Sequence, residues 1–150
     1  LPFIAQVKDM TENMTLDYYK KFNNSSYDLI KRWPEKSQLY AWAISMSKNG
    51  NLDLHNHTTG WLSGSFYLSM PKLNTKNEGA IVFSIRGMGY PVLDESKIND
   101  KIFNVKPGDI IMFPSNLFHR TLPFSSEENR VSFAFDKRPE WNIDDFKSHY

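Results

Sequence analysis

The chain has 150 residues, with 18 Lys and Arg against 17 Asp and Glu, a net charge of +1, and 7 Gly beside 40% hydrophobic residues. That length suits one ordinary domain, and the composition is that of a globular chain, so disorder as the default state is excluded. With no run of basic residues longer than two, the chain lacks a counterion-release footprint, and nucleic acid is not an expected partner.

Between Thr11 and Trp33, apolar residues at Leu16, Tyr19, Phe22, Leu29 and Ile30 recur at helical spacing around the polar cluster Asn23 to Ser26, which predicts one or two helices. From Gln38 the period becomes two. Tyr40, Trp42, Ile44 and Met46 fall on one side, and Ala41, Ala43 and Ser45 on the other. The run ends at Lys48-Asn49-Gly50-Asn51, and Asn-Gly there predicts a hairpin whose second arm is Leu52 to His57. Trp61 to Met70, stopped by Pro71, reads as the next strand. After a loop from Lys72 to Gly79, strands are expected at Ala80 to Ile85, Lys101 to Val105, Asp109 to Phe113, His119 to Pro123 and Arg130 to Asp136. Eight short strands after a helical segment predict a mainly β fold, a sandwich or jelly-roll barrel. The expectation is a single domain over 1–150, with helices at about 11–33 and a β core at about 38–138. Asn142 to Tyr150 is expected to form a short helix capped by Asn142.

The sequence contains no cysteine, so any metal must be held by histidine and oxygen ligands. No segment approaches the roughly 18 apolar residues of a membrane span, and the first ten residues lack the pattern of a signal peptide. A cytoplasmic protein without membrane partners is therefore expected. Leu1 is not an initiator methionine, which points to a processed chain or part of a longer one.

His55 and His57 lie two apart on a predicted strand, where alternation turns both imidazoles to one face in a chelating arrangement. His119 begins a later strand that a closed double-stranded barrel can place opposite the first. His149, near the C-terminus, is expected to be solvated. Imidazole ligation without sulfur suits Fe, Ni, Cu or Zn. Arg130 follows His119 by eleven residues and shares a strand face with Ser132. A buried guanidinium is expensive unless it meets an anion, and its planar fork fits a carboxylate. The competing reading places Arg130 on the surface, paired with Glu127 or Glu128. Arg86, beside Gly87-Met-Gly89, is a weaker candidate for an acidic substrate group.

Three stretches in order, His55-Asn-His57-Thr-Thr-Gly-Trp-Leu-Ser63-Gly-Ser65-Phe-Tyr67, Pro107-Gly-Asp to Pro114 to His119, and Glu128-Asn-Arg130-Val-Ser132, resemble the Fe(II)- and 2-oxoglutarate-dependent oxygenases with a double-stranded β-helix fold. The likeness is to a small bacterial and phage branch with a His-x-His, a Ser-Gly-x-x-Tyr strand and an Arg-x-Ser end, and it covers about residues 38 to 138. Such domains can follow tetratricopeptide repeats in longer chains.

The resemblance implies a metal triad at His55, His57 and His119, with 2-oxoglutarate on Fe(II) and its far carboxylate gripped by Arg130. Ser132, Tyr67, Ser63 and Ser65 are then helpers in cosubstrate binding, and the substrate is a small molecule or a peptidyl group. Position 57 departs from the superfamily's usual Asp or Glu, which leaves the site one unit more positive. Cupins share the barrel and use three histidines, but the glutamate expected shortly after their His-x-His is absent from Thr58 to Gly64. A three-histidine cupin enzyme that does not use 2-oxoglutarate, or a metal- or anion-binding sensor module, is the alternative.

Overall fold

The computed structural model describes residues 2–87, 89–92 and 94–140. Helix α1 spans Pro2–Phe22 and α2 spans Asp28–Lys31, separated by the polar cluster that the periodicity had marked as a break. α1 begins well before Thr11. Proline suits a first helical turn, where its missing N–H has no intrahelical partner to lose, and Val7 and Thr11 carry the buried stripe back toward it. The helix expected at Asn142 to Tyr150 lies outside the described residues, as does His149.

Seven strands follow among the described residues: β1 Ser37–Met46, β2 Leu62–Ser69, β3 Ile81–Ser84, β4 Lys101–Phe103, β5 Ile110–Pro114, β6 Phe118–Thr121 and β7 Arg130–Pro139. They form two antiparallel sheets, ordered β1-β7-β2-β5 and β4-β3-β6. Tyr67 and Phe113 from the first sheet meet Ile81 and Phe83 from the second, with Val105, in the buried cluster between them. The mainly β jelly-roll expectation therefore holds.

The expected hairpin at Asn49-Gly50 does not. A turn forms there, with Asn49 at φ 63° and Gly50 N–H donating to Ser47 O, but β1 pairs with β7 along its whole length. The chain after the turn crosses to the other sheet. Leu52 and His55 then exchange hydrogen bonds with Thr121 and His119, so the segment 52–57 follows β6 through one isolated bridge instead of forming a regular strand. Asn-Gly signals reversal of direction but does not specify which strand receives it.

Register fixes which side chains share a face. On β7, Arg130, Ser132, Ala134 and Asp136 alternate onto the inner side, opposite Met46, Ile44, Trp42 and Tyr40 of β1. On the other flank Ser132, Ala134 and Asp136 lie opposite Tyr67, Ser65 and Ser63 of β2. The outer face carries Phe133, Phe135 and Lys137, and α1 lies against it, with Phe3 edge-on to Phe133 at 5.9 Å. Gly64 sits on this outer side, where any side chain would run into the Phe135 ring, so the Ser-Gly-Ser sequence is a packing requirement. A cleft of about 550 Å³ separates Ile4 and Val7 of α1 from Leu39 and Ala41 of β1. It lies on the opposite side of the sheet from the inner-face polar residues. No described helix is long and apolar enough to cross a membrane.

The buried Lys137 ammonium is paired with Glu12 of α1, which ties the helix to the sheet. Glu12→Ala would leave that cation buried without its partner, and a loss of about 1–3 kcal/mol is expected. Lys137→Met, which removes charge and retains bulk, should lose less. Urea unfolding of the two variants measures the difference, and equal losses would contradict the role given to the pair.

Candidate metal centre

His55 and His119 are held side by side by reciprocal backbone bonds, His55 N–H to His119 O at 3.0 Å and His119 N–H to His55 O at 2.8 Å. His57 is fixed by its own N–H, which donates to Ser115 O at 2.8 Å. Ring centroids are then 4.3 Å apart for His55 and His119, 5.1 Å for His57 and His119, and 5.3 Å for His55 and His57. One ligand nitrogen from each ring lies within 4.8 Å of the others.

Which nitrogen is free follows from the second one. Nδ1 of His55 is 2.6 Å from Asp53 O, Nδ1 of His119 is 3.1 Å from Leu117 O, and Nδ1 of His57 is 2.5 Å from Asp136 Oδ1. A carbonyl oxygen only accepts, so Nδ1 of His55 and of His119 carries the proton and Nε2 keeps its lone pair. Burial depresses the pKa of His119 to about 4, so its imidazole is neutral at pH 7. Neutral imidazoles with Nε2 free are the form that ligates a metal.

Behind His57 lies a buried polar cluster. Ser63 donates to Asp136 Oδ1 at 2.7 Å and lies 2.7 Å from the Ser115 hydroxyl, and all three side chains are buried. Arg138 Nη2 reaches Asp136 Oδ2 at 3.3 Å, while its guanidinium stacks 4.2 Å over the Tyr40 ring. Burial alone would raise the pKa of Asp136. The bonds from His57 and Ser63, and the charge nearby, outweigh that and hold it below the ordinary carboxylate value.

Arg130 is 3% exposed and has no carboxylate partner among the described residues. Its Nη1 meets the Met46 sulfur at 3.7 Å, its guanidinium lies 5.1 Å from the Tyr67 ring centre, and both Nε and the buried Tyr67 hydroxyl lack a hydrogen-bond partner. The surface reading fails, because Glu127 pairs with Lys48 and Glu128 accepts from the backbone of Lys72. Two unmet polar groups at one buried place are costly unless a ligand meets them. Burial raises the pKa of Tyr67 and lowers that of Arg130, each shift being opposed by the proximity of the other group.

The site residues expected from the sequence thus fall on the inner side, with differing partners. Ser132 and Ser65 flank Arg130 and Tyr67 in the register, whereas Ser63 directs its hydroxyl to Asp136 and His57 instead of toward Arg130. Arg86 pairs with Glu95 at the surface. Sequence reasoning missed Asp136, Ser115 and Trp42, whose ring lies 5.9 Å from His57. The parity of β7 was a usable signal for Asp136, since it shares a face with Arg130 and Ser132.

A family model described as "Putative 2OG-Fe(II) oxygenase" matches residues 40–136. No protein of curated function matches the chain. Among solved structures, the chain is similar to a Pseudomonas putida prolyl-4-hydroxylase, at 14% identity and TM-score 0.50 over 69% of this chain and 53% of that one. It is also similar to SnoK, a non-heme alpha-ketoglutarate-dependent carbocyclase from nogalamycin biosynthesis, at 12% identity and TM-score 0.54 over 69% and 50%. A third is a 2OG-Fe(II) family oxidoreductase from Burkholderia pseudomallei, at 13% identity and TM-score 0.50 over 78% and 55%. These likenesses are of fold, and the chain spans about half the length of each of these structures.

Proposed function

The chain belongs to the 2OG-Fe(II) oxygenase family of oxidoreductases, whose cofactors are Fe(II) and 2-oxoglutarate, and from this we propose that it is a dioxygenase oxidising a small-molecule or peptidyl substrate. The observation that carries this reading is the pairing, inside one barrel, of three imidazoles with ligand nitrogens within 4.8 Å and a buried guanidinium without a carboxylate. These residues fit the two groups. Histidine nitrogens are suitable donors for Fe(II), and a buried Arg130 guanidinium whose Nε lacks a partner, beside a Tyr67 hydroxyl that also lacks one, fits a carboxylate.

His55, His57 and His119 would hold the metal, and Arg130, with Tyr67, Ser65 and Ser132, would hold the far carboxylate of 2-oxoglutarate. Bound together and supplied with dioxygen as the oxidant, metal and cosubstrate would support oxidative decarboxylation to succinate and CO2, one oxygen atom passing to succinate and the other to a substrate C–H bond. The protein's part is orientation and dryness. Arg130 fixes the cosubstrate by charge and direction, and Phe83 and Phe113, each packed against His119, keep water from that side. Trp42 and Tyr40, both partly exposed on the inner row of β1, line the approach for a substrate.

A substrate other than nucleic acid is supported by the net charge of +1. Residues 1–150 are taken as one domain, a reading supported by the Glu12–Lys137 pair that joins α1 to β7. Incubation with Fe(II), ascorbate and 2-oxoglutarate is expected to release succinate slowly without substrate, and omission of Fe(II) should abolish it. Stoichiometric metal binding without any succinate would overturn the reading in favour of a cupin-type enzyme or sensor.

A further inference from the structure

Three imidazoles supply no charge to a metal, whereas a site with one carboxylate ligand supplies one negative charge. Two of the rings here are steered by neutral backbone carbonyls, Asp53 O for His55 and Leu117 O for His119. His57 alone is steered by a carboxylate, at 2.5 Å, and that carboxylate is 2% exposed and itself held by Ser63 and Arg138. The side chain is therefore fixed in place by several partners, and the difference between His57 and the other two rings is one of charge.

We propose that Asp136 is a positioning residue of the centre, holding the proton of His57 on Nδ1 so that Nε2 faces the metal, and supplying from behind the ring the negative charge that the three ligands lack. This rests on the reading of His57 as a ligand. A carboxylate hydrogen-bonded to a ligating imidazole orients the ring and raises its basicity. The Ser63 and Ser115 hydroxyls, 2.7 Å apart and buried, complete the support by keeping the carboxylate turned to the ring. Asp136 touches neither metal nor cosubstrate in this account and acts only through His57.

The test is metal affinity, read by calorimetry with Zn(II) as a redox-inert probe, in wild type and in Asp136→Asn. The amide keeps size and an acceptor oxygen but no charge, and affinity is expected to fall 10- to 100-fold. A purely structural Asp136 would lower the melting temperature and leave the affinity of the folded protein unchanged, which would overturn the proposal. In a His57→Asp background, where the ligand carries its own charge, Asp136→Asn is expected to cause no further loss. A full second loss there would also overturn it.

If Asp136→Asn does not fold, ¹⁵N NMR of Zn(II)-loaded wild type decides. The proposal requires a protonated Nδ1 and a metal-bound Nε2 on His57, and metal on Nδ1 contradicts it. Wild type that binds no Zn(II) at all would remove the metal centre and the proposal together. Wild-type binding that Asp136→Asn matches would remove the proposal only.

Discussion

Arg130→Ala is expected to retain its metal and lose 2-oxoglutarate. The guanidinium is buried, its Nε is unmet, and the neighbouring Tyr67 hydroxyl is unmet as well, so a carboxylate entering here would gain charge-assisted bonds in a dehydrated place. Truncating one partner of such a pair costs about 2 to 5 kcal/mol of binding, which is roughly 30- to several-thousandfold in affinity. Arg130→Lys should recover only part, because a point charge cannot reproduce the planar fork. A third variant is expected to show the opposite sense in stability. Without ligand, Arg130 is a buried cation facing a thioether and a ring, and Arg130→Met is expected to be as stable as wild type or more so. Thermal unfolding without and with 2-oxoglutarate measures both effects, and a strongly destabilised, ligand-free Arg130→Met would show that the guanidinium has a structural partner.

His119→Ala is the second large effect, an expected loss of stoichiometric divalent metal. Of the three rings His119 is the most buried, and it is joined to His55 by two backbone bonds, so its removal leaves the site short of one donor without displacing the strand. Replacing a residue that only orients a ligand weakens a site 10- to 100-fold, and deletion of the ligand itself should exceed that. His57→Asp, in contrast, is expected to keep metal, since it exchanges one donor for another at the same backbone position. Metal content after dialysis, measured against protein concentration, tests both. Undiminished metal in His119→Ala would remove the centre from the account.

The candidate site residues were legible because each is a matter of residue type and parity. Arg130 and Ser132 two apart and the Ser63, Ser65, Tyr67 row follow from extended backbone, and the register sets these two rows side by side, while His55 and His57 two apart gather with His119. The pairing of strands was less legible. Asn49-Gly50 announces a turn, but the partners, β7 for β1 and β6 for the following segment, lie far along the chain and leave no local signal at the turn. Asp136 was hidden for a related reason: an aspartate closing a strand looks like a solvated end residue. Its burial depends on His57, Ser63 and Arg138 arriving from different parts of the chain. Ser63 was read as facing the cosubstrate because parity gives its face and not its partner.

A metal at the histidines and an anion at Arg130 are expected to occupy one site. Anaerobic calorimetry of 2-oxoglutarate with the Fe(II)-loaded protein, repeated without metal and with Arg130→Ala, tests it most directly. One equivalent should bind to the loaded wild type, far more weakly when metal is omitted, and at least 30-fold more weakly in the variant. No binding to the loaded wild type at millimolar concentration, or binding indifferent to both metal and Arg130, would contradict it.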